Sequence, residues 1–257
     1  MLTEPQLSVC LVLYHAAPTV LDTIRCLKAS NVPCELFVVD NSPKDGMAAQ
    51  ISAIFPEARI LPQARNLGFG RGNNVVLPYL HSRYHLLINP DVTFAPDLLD
   101  RMMDYMNANP QTVILTPRVF NPDGTEQFLP KKQPTVRYLL AGRLESLGRP
   151  FSAWRREFTM ADSPVAVPTE VQFATGCFLL IRTHSFVQRL KGFDPRFFLY
   201  QEDSDLSRRA MELGEITYHP DFCVTHTWAR ENTRTLRGNL RQIVSICKFF
   251  WKWGLRW

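Results

Sequence analysis

An α/β domain with a mainly parallel central sheet flanked by helices is what this sequence predicts, and three observations carry that expectation. Short apolar runs alternate with stretches of helical period through the first half of the chain. Polar residues suited to ligand chemistry stand directly after several of the apolar runs. The 257 residues, 46% hydrophobic and 21% charged, have the proportions of an ordinary globular protein with enough chain to bury a core.

The elements follow in order. Leu7 to Tyr14 reads as the first strand, and after Pro18 the residues Val20, Leu21, Ile24 and Leu27 recur at helical spacing. Leu36 to Val39 is a second strand, and Met47, Ile51, Ile54 and Phe55 mark a second helix. A glycine-rich loop, Arg65 to Asn74, precedes a helix holding Val75 to Leu80. Tyr84 to Ile88 is a strand ending at Asn89-Pro90-Asp91, a helix opens at Pro96, and Val113 to Leu115 is the next strand. Residues 121–167, rich in Pro, Gly and charge, read as an excursion with a short helix near Val136 to Leu147, and regular structure resumes at Glu170 to Ile181. With no internal repeat, the expected organisation is one domain over 1–229, its variable region embedded, followed by a helix over 230–257.

Composition narrows the function. Six cysteines show no Cys-x-x-Cys pair, which fits a reducing compartment and argues against zinc. Net charge is +5, but residues 230–257 carry +6 and the remainder −1, so no basic face for nucleic acid is expected on the body of the protein. No apolar run reaches the roughly 20 residues of a spanning helix. The start of the chain has no basic n-region, so a cytoplasmic location is expected.

In doubly wound sheets ligands bind beyond the carboxyl ends of the strands, which selects Tyr14, His15, Asp40, Asn41, Asn89 and Asp91. Asp40 is placed to accept hydrogen bonds from a base or ribose, although Asp-Asn-Ser-Pro is equally good turn and cap material. Three glycines in RNLGFGRGNN allow close backbone approach, as would a plain turn. Asp91, just past a buried strand, suits magnesium or manganese held together with substrate phosphates. The same tripeptide at Asn121-Pro122-Asp123 is followed by Gly124 and reads as a turn. Glu202, Asp203 and Asp205 sit beside Phe197, Phe198 and Tyr200; acids there cap a helix, and a desolvated one also has the raised pKa of a general base.

Taken in order, CLVLYH, VVDNSP, RNLGFGRGNN, LLINPD, TGCFLLIR, GFDPRFFLYQEDSDLSRR and HPDFCVTH resemble the inverting enzymes of glycosyltransferase family 2, and within them the rhamnosyltransferase-like group of bacterial surface polysaccharide synthesis. The resemblance spans roughly residues 7 to 228 and implies the nucleotide-binding type A glycosyltransferase fold. It implies Asp203 as catalytic base with Glu202 beside it, and Asp91 and His226 as ligands of Mg2+ or Mn2+. The donor, a nucleotide-diphosphate sugar, would meet Tyr14, Asp40, Asn66, Gly68, Asn74, Asn89, Asp91 and Arg208, and the acceptor would be a lipid-linked glycan. The chain departs from the family's common pattern at His15 and Gly72, and residues 121–167 show no match.

Two other functions compete. A sugar nucleotidyltransferase would carry a basic glycine-rich loop after its first strand, which LYHAAPTV lacks, and a non-catalytic binding protein would have no use for the acids at 202–205 beyond capping. In the tail, Leu236, Leu240, Ile243, Val244, Cys247, Phe250 and Trp251 form one apolar stripe, with Arg234, Arg237, Arg241, Lys248 and Lys252 on their own face. A basic amphipathic helix of this kind implies peripheral contact through 234–257 with the inner face of the cytoplasmic membrane; the alternative is a stripe packed on the domain.

Overall fold

The computed structural model describes residues 6–129, 131–162, 165–227 and 236–257. Its strands are β1 (Leu7–Leu13), β2 (Glu35–Asp40), β3 (Arg59–Pro62), β4 (Tyr84–Ile88), β5 (Val92–Phe94), β6 (Thr112–Phe120), β7 (Thr169–Glu170), β8 (Phe178–Arg182) and β9 (Glu215–His226). They form one sheet in the order β3-β2-β1-β4-β8-β6-β9-β5, with β7 paired to β9.

The first βα units form as their periodicities require. Residues of β1 alternate between two cores: Leu7, Val9, Leu11 and Leu13 meet helices α1 (Val20–Ala29), α2 (Met47–Ile54) and α4 (Leu98–Ala108) on one face. Cys10 faces the other core, with Phe37, Leu87, Leu179 and Leu206. Both faces are therefore covered, which is why β1, β2 and β4 read as continuous apolar runs rather than alternating ones. β1 pairs in parallel with β2 and with β4, and β2 with β3.

The expected parallel arrangement holds for this half, and the sheet as a whole is mixed. β8 runs antiparallel between β4 and β6, with Ile88 opposite Phe178, while β9 returns parallel to β6. An antiparallel insertion places the amino end of β8 at the same sheet edge as the carboxyl ends of β1, β2, β4 and β9.

The glycine-rich segment is not the loop expected from sequence. Its second half is helix α3 (Phe69–Asn74), so helix begins inside the run, ahead of Val75, and Leu77–Tyr79 adds a single 3-10 turn. A Cβ at Gly72 would lie 2.8 Å from Val12 Cγ1, and one at Gly70 3.0 Å from Phe193 Cβ. Glycine's cost in helix propensity is offset by how closely α3 approaches β1 and the strap ahead of α7 (Glu202–Ala210).

Residues 121–162 contain α5 (Val136–Leu144), where a short helix was expected, and α6 (Phe151–Thr159), which was not. Tyr138 stacks on Phe158 with ring centroids 4.8 Å apart, and its hydroxyl donates to Glu157 at 2.6 Å.

Helix α8 (Leu236–Trp253) is tied to the domain through its polar face. Ser245 Oγ donates to the Leu199 carbonyl at 2.8 Å, and Lys252 Nζ reaches Asp194 at 2.8 Å and Asp205 at 2.5 Å. Trp253 Nε1 also donates to Asp205, at 2.9 Å, and Phe249 is buried. Leu240, Ile243, Val244 and Trp251 of the expected apolar stripe are exposed, so the stripe does not pack on the domain. Lys252, expected on a free basic face, points inward as a counter-ion. Arg234 lies outside the described residues. Among the described residues no helix is long and apolar enough to cross a membrane.

Candidate active site

Two polar clusters and a wall of acids gather at the sheet edge defined by the carboxyl ends of β1, β2, β4 and β9. At the ends of β1 and β2, Leu13 pairs with Asp40, and the Asn41 amide donates to the Leu13 carbonyl at 3.0 Å. Asp40 is buried and its Oδ1 accepts from the Ser42 amide at 2.9 Å. Ser42 Oγ accepts from the His15 amide at 2.9 Å, and His15 Nδ1 lies 2.8 Å from Asp45 Oδ2. This web fixes the two strand ends against each other and leaves Tyr14 half exposed beside the His15 ring, 4.4 Å between centroids. A half-exposed phenol next to a buried carboxylate is suited to a planar base: one stacks, the other accepts a hydrogen bond. His15, Ser42 and Asp45 complete this end, and only His15 was singled out in the sequence.

At the end of β4, the Asn89 amide donates to the Cys177 carbonyl at 2.9 Å, and the Pro90 carbonyl accepts from Thr23 Oγ1 at 3.0 Å, which fixes the turn presenting Asp91. β5 pairs antiparallel with β9, Val92 opposite His226, so the histidine comes to the same place. His226 Nε2 is 3.2 Å from Asp91 Oδ1 and 3.3 Å from Asn89 Nδ2. Gln127 sets the orientation of the ring. Its Nε2 donates to the His226 carbonyl at 2.7 Å, which forces its Oε1 toward His226 Nδ1 at 3.3 Å. Nδ1 is therefore placed to donate to Gln127, which leaves Nε2 facing Asp91. Gln127 had no distinguishing signal in the sequence.

That geometry fits a divalent cation. A carboxylate oxygen and an imidazole lone pair directed at each other repel unless a proton or a cation lies between them. Among the described residues no group of three or more His, Cys, Asp and Glu is placed to hold a metal, so the protein would supply a pair and phosphate oxygens the rest. The second Asn-Pro-Asp differs as its glycine implied: Asp123 is exposed, its Oδ1 accepts from the Thr125 amide at 2.9 Å and hydroxyl at 2.6 Å, and Gly124 has φ +82°.

The third part begins at β8. Gly176 donates its amide to Asp203 Oδ2 at 3.3 Å, and the Ser204 amide donates to Asp203 Oδ1 at 2.8 Å. Cys177, whose carbonyl bonds the Asn89 amide and whose neighbour Gly176 holds Asp203, links the two parts of the site: its thiol is pushed up to about 12, first by burial and then by the charges of Asp203 and Asp91. Burial also raises the pKa of Asp203, opposed by those amides. Glu202 is more deeply buried, and burial, then the Asp203 charge, pushes it up to about 8. Glu202 Oε2 finds no hydrogen-bond partner among the described residues. Burial and the neighbouring charge therefore both work against ionising the two acids together.

Asp205, one turn further into α7, takes no part in this pair. It is fully buried and neutralised by Arg209 at 2.8 Å and by Lys252 and Trp253 of α8. Arg208 lays its guanidinium on the Trp253 ring, 4.5 Å from the centroid, and so belongs to the same junction.

Three residues of the glycine-rich segment hold structure in place. Asn74 gives both ends of its amide to the Phe193 backbone, at 2.8 and 2.7 Å, so it anchors the strap carrying Glu202. Gly68, at φ +82°, stands where a Cβ would come within 2.0 Å of the Phe198 carbonyl oxygen, and Asn66 Oδ1 accepts from its amide at 2.8 Å. Tyr200 and Gln201, both non-glycine residues with φ near +70°, close the strap ahead of Glu202. Left-handed backbone of this kind persists where surrounding structure enforces it, commonly beside reacting groups.

Comparison with known proteins bears on the family and the fold. The model of glycosyl transferase family 2 matches residues 8–190. An N-acetylglucosaminyl-diphospho-decaprenol L-rhamnosyltransferase of Mycobacterium tuberculosis is 28% identical over 253 residues, covering 89% of this chain and 80% of that one. Rhamnosyltransferase WbbL of Escherichia coli is 27% identical over 175 residues, covering 64% of this chain and 62% of that one. Among solved structures, the mannosyltransferase PcManGT of Pyrobaculum calidifontis, in complex with GDP-Man and Mn2+, superposes with a TM-score of 0.62 at 15% identity, over 97% of this chain and 65% of that one. S. aureus TarS 1-349 gives a TM-score of 0.62 at 14% identity, over 95% of this chain and 72% of that one. These two establish the type A fold.

The raised Glu202 couples stability to pH with a definite sign. In the unfolded chain it releases its proton near 4.5, and in the folded one near 8. The stability this gives is fully present below about 4.5 and lost as pH rises through about 8. Glu202→Gln keeps the shape and removes the titration. Urea midpoints of wild type and variant across this window are expected to show wild type losing ground to Glu202→Gln as pH rises; parallel curves would mean that Glu202 titrates normally.

Proposed function

Because the chain belongs to glycosyltransferase family 2, we propose that it transfers a sugar, rhamnose by the measure of its relatives, from a nucleotide-diphosphate donor to a hydroxyl of a lipid-linked glycan, with inversion at the anomeric carbon. The observation that supports this reading is the pair of backbone hydrogen bonds at Cys177 and its neighbour, the Asn89 amide to the Cys177 carbonyl at 2.9 Å and the Gly176 amide to Asp203 Oδ2 at 3.3 Å, which bring the turn presenting Asp91 and the desolvated Asp203 to adjacent residues of one segment.

Tyr14 and Asp40 take the base and ribose of the donor at one end of the cleft, and Asn89 helps orient its metal side through His226. Arg208 is read as a donor-side cation whose place is fixed by Trp253. Gly68, Asn66 and Asn74 serve the donor indirectly by fixing the strap. Mn2+ or Mg2+, held by Asp91 and His226, would supply positive charge to the departing diphosphate. Asp203, its carboxylate held by the Gly176 and Ser204 amides, takes the proton of the acceptor hydroxyl as that oxygen attacks. Glu202, protonated, keeps a second negative charge away from the nucleophile.

The acceptor places the reaction at a membrane. Leu240, Ile243, Val244, Cys247 and Trp251 of α8 are exposed along one side, and Arg241 is exposed next to them. We read this face as peripheral contact with the inner leaflet of the cytoplasmic membrane. Lys248 and Lys252 belong to the domain side, where they bond the Arg196 carbonyl and two carboxylates.

Asp203→Asn is expected to lower turnover at least about a hundredfold with donor binding largely kept. Near-normal turnover, or a product that retains configuration, would remove Asp203 from this role.

Calorimetric titration of nucleoside diphosphate with and without manganese separates the two Asn-Pro-Asp sites. Asp91→Ala loses the manganese-dependent gain in affinity, His226→Ala loses part of it, and Asp123→Ala keeps it. Equal losses at Asp91 and Asp123 would contradict the assignment.

Replacing Leu240, Val244 and Trp251 with Ser leaves the buried face of α8 intact. Co-sedimentation with anionic liposomes is expected for the wild type and lost in this triple variant; unchanged sedimentation would mean that α8 does not face the membrane.

A further inference from the structure

Helix α8 and the strap ahead of α7 meet along a seam that is closed on one side and open on the other. Ser245 Oγ donates to the Leu199 carbonyl and Lys248 Nζ to the Arg196 carbonyl, both at 2.8 Å, which fixes the spacing of helix and strap. Beside these bonds runs an open groove of about 190 Å³, walled by Phe198 and Leu199 of the strap and by Leu240 and Val244 of α8, with Arg241 and Lys248 at its rim. Leu240 and Val244 are 62% and 43% exposed. Arg241 lies over the Phe198 ring, 5.1 Å from its centroid.

Two chemistries meet in this groove. Its walls are apolar and left to water, a cost that an apolar ligand removes. Its rim is cationic, since among the described residues neither Arg241 nor Lys248 is paired with a carboxylate. An apolar cavity of roughly 150 Å³ takes up one benzene, so the groove has room for about one or two isoprene units. The ligand that matches walls and rim together is a hydrocarbon chain ending in an anion.

Position says which chain. Leu199 stands four residues before Asp203, so their backbones are at most about 14 Å apart, a gap that a diphosphate and one sugar ring span. An acceptor lipid lying in the groove therefore puts its phosphates at the cationic rim and leaves its sugar within reach of Asp203. Ile243 and Trp251 continue the exposed apolar side of α8 beyond the groove, a path by which the rest of a long chain leaves toward a bilayer. We propose that the groove between α8 and the strap holds the first prenyl units of the acceptor, with Arg241 and Lys248 facing its diphosphate. This rests on the lipid-linked acceptor proposed above and names where its lipid is held.

The test uses acceptors that stay dissolved, so that membrane binding does not enter: N-acetylglucosaminyl diphosphate carrying a geranyl ester, and the same diphosphate carrying a methyl ester. Both are assayed on the full chain without lipid or detergent. Wild type is expected to show a KM at least about tenfold lower for the geranyl ester. In the double variant Leu240→Ser, Val244→Ser that advantage falls at least about fivefold, while kcat on the methyl ester is kept. Trp251→Ser, on the same exposed side but outside the groove, retains the advantage, and Arg241→Gln raises KM for both esters by about threefold or more. Thermal denaturation accompanies the kinetics, and if the double variant does not fold, Val244→Ser alone carries the comparison. A wild type without chain preference, an equal loss in Trp251→Ser and the groove variant, or an Arg241→Gln variant with unchanged KM values overturns the proposal. A wild type inactive on both esters overturns the parent reading and this one with it, whereas an active wild type with an unaffected groove variant overturns this one alone.

Discussion

Hydrogen bonding between β4 and β8 is the constraint on which the rest of the site depends. β8 enters the sheet antiparallel, with Ile88 opposite Phe178, so the turn before it is laid against the turn after β4 and the Asn89 amide reaches the Cys177 carbonyl. Gly176 then stands where its amide can hold Asp203, while the bond from Asn89 brings Asp91, two residues on, to the same turn. Were β8 parallel to β4, its amino end would sit at the opposite edge of the sheet, some five residues or about 17 Å away. One reversal of strand direction therefore joins the turn that presents Asp91 to Asp203 of α7, the acid proposed as the base.

Three acids within four positions of α7 meet three different fates, and the causes are electrostatic. Asp205 is the most buried, yet it is stabilised as an anion by Arg209, Lys252 and Trp253. Glu202 is nearly as buried and has no cation beside it, so burial pushes its pKa up to about 8. Asp203 lies between these extremes: burial raises it, while the amides of Gly176 and Ser204 favour its charge. Cations from α8 go to the acid that anchors the fold and leave the other two desolvated, which is the condition a general base needs.

Much of the sheet was legible in the sequence because its determinants are local. Val20, Ile24 and Leu27 on α1, and Leu98, Leu99, Met102 and Met106 on α4, face the core as their spacing requires. Strands as short as β3 and β5 carry too few residues to show a period. The glycine-rich segment misled for a different reason. Glycine suits a phosphate loop and a tightly packed helix equally, and only the approach of Val12, Phe193 and Phe198 to α3 and Gly68 distinguishes them.

The sequence by itself determined which residues end strands, and so placed Tyr14, Asp40, Asn89 and Asp91 at one edge, with His226 added by the family resemblance; it also separated Asp91 from Asp123, because a glycine after the aspartate is a local turn signal. Only the tertiary structure decided which acid of α7 is paired, that Gln127 turns His226 toward Asp91, and that α8 grips the domain with Ser245, Lys252 and Trp253 while its apolar stripe stays outside. The physical reason is one of range. Helix and strand periods, turns and caps are written within a few neighbouring residues. Charge compensation, by contrast, depends on which distant segment supplies the counter-ion, and here a lysine 47 positions beyond Asp205 supplies it.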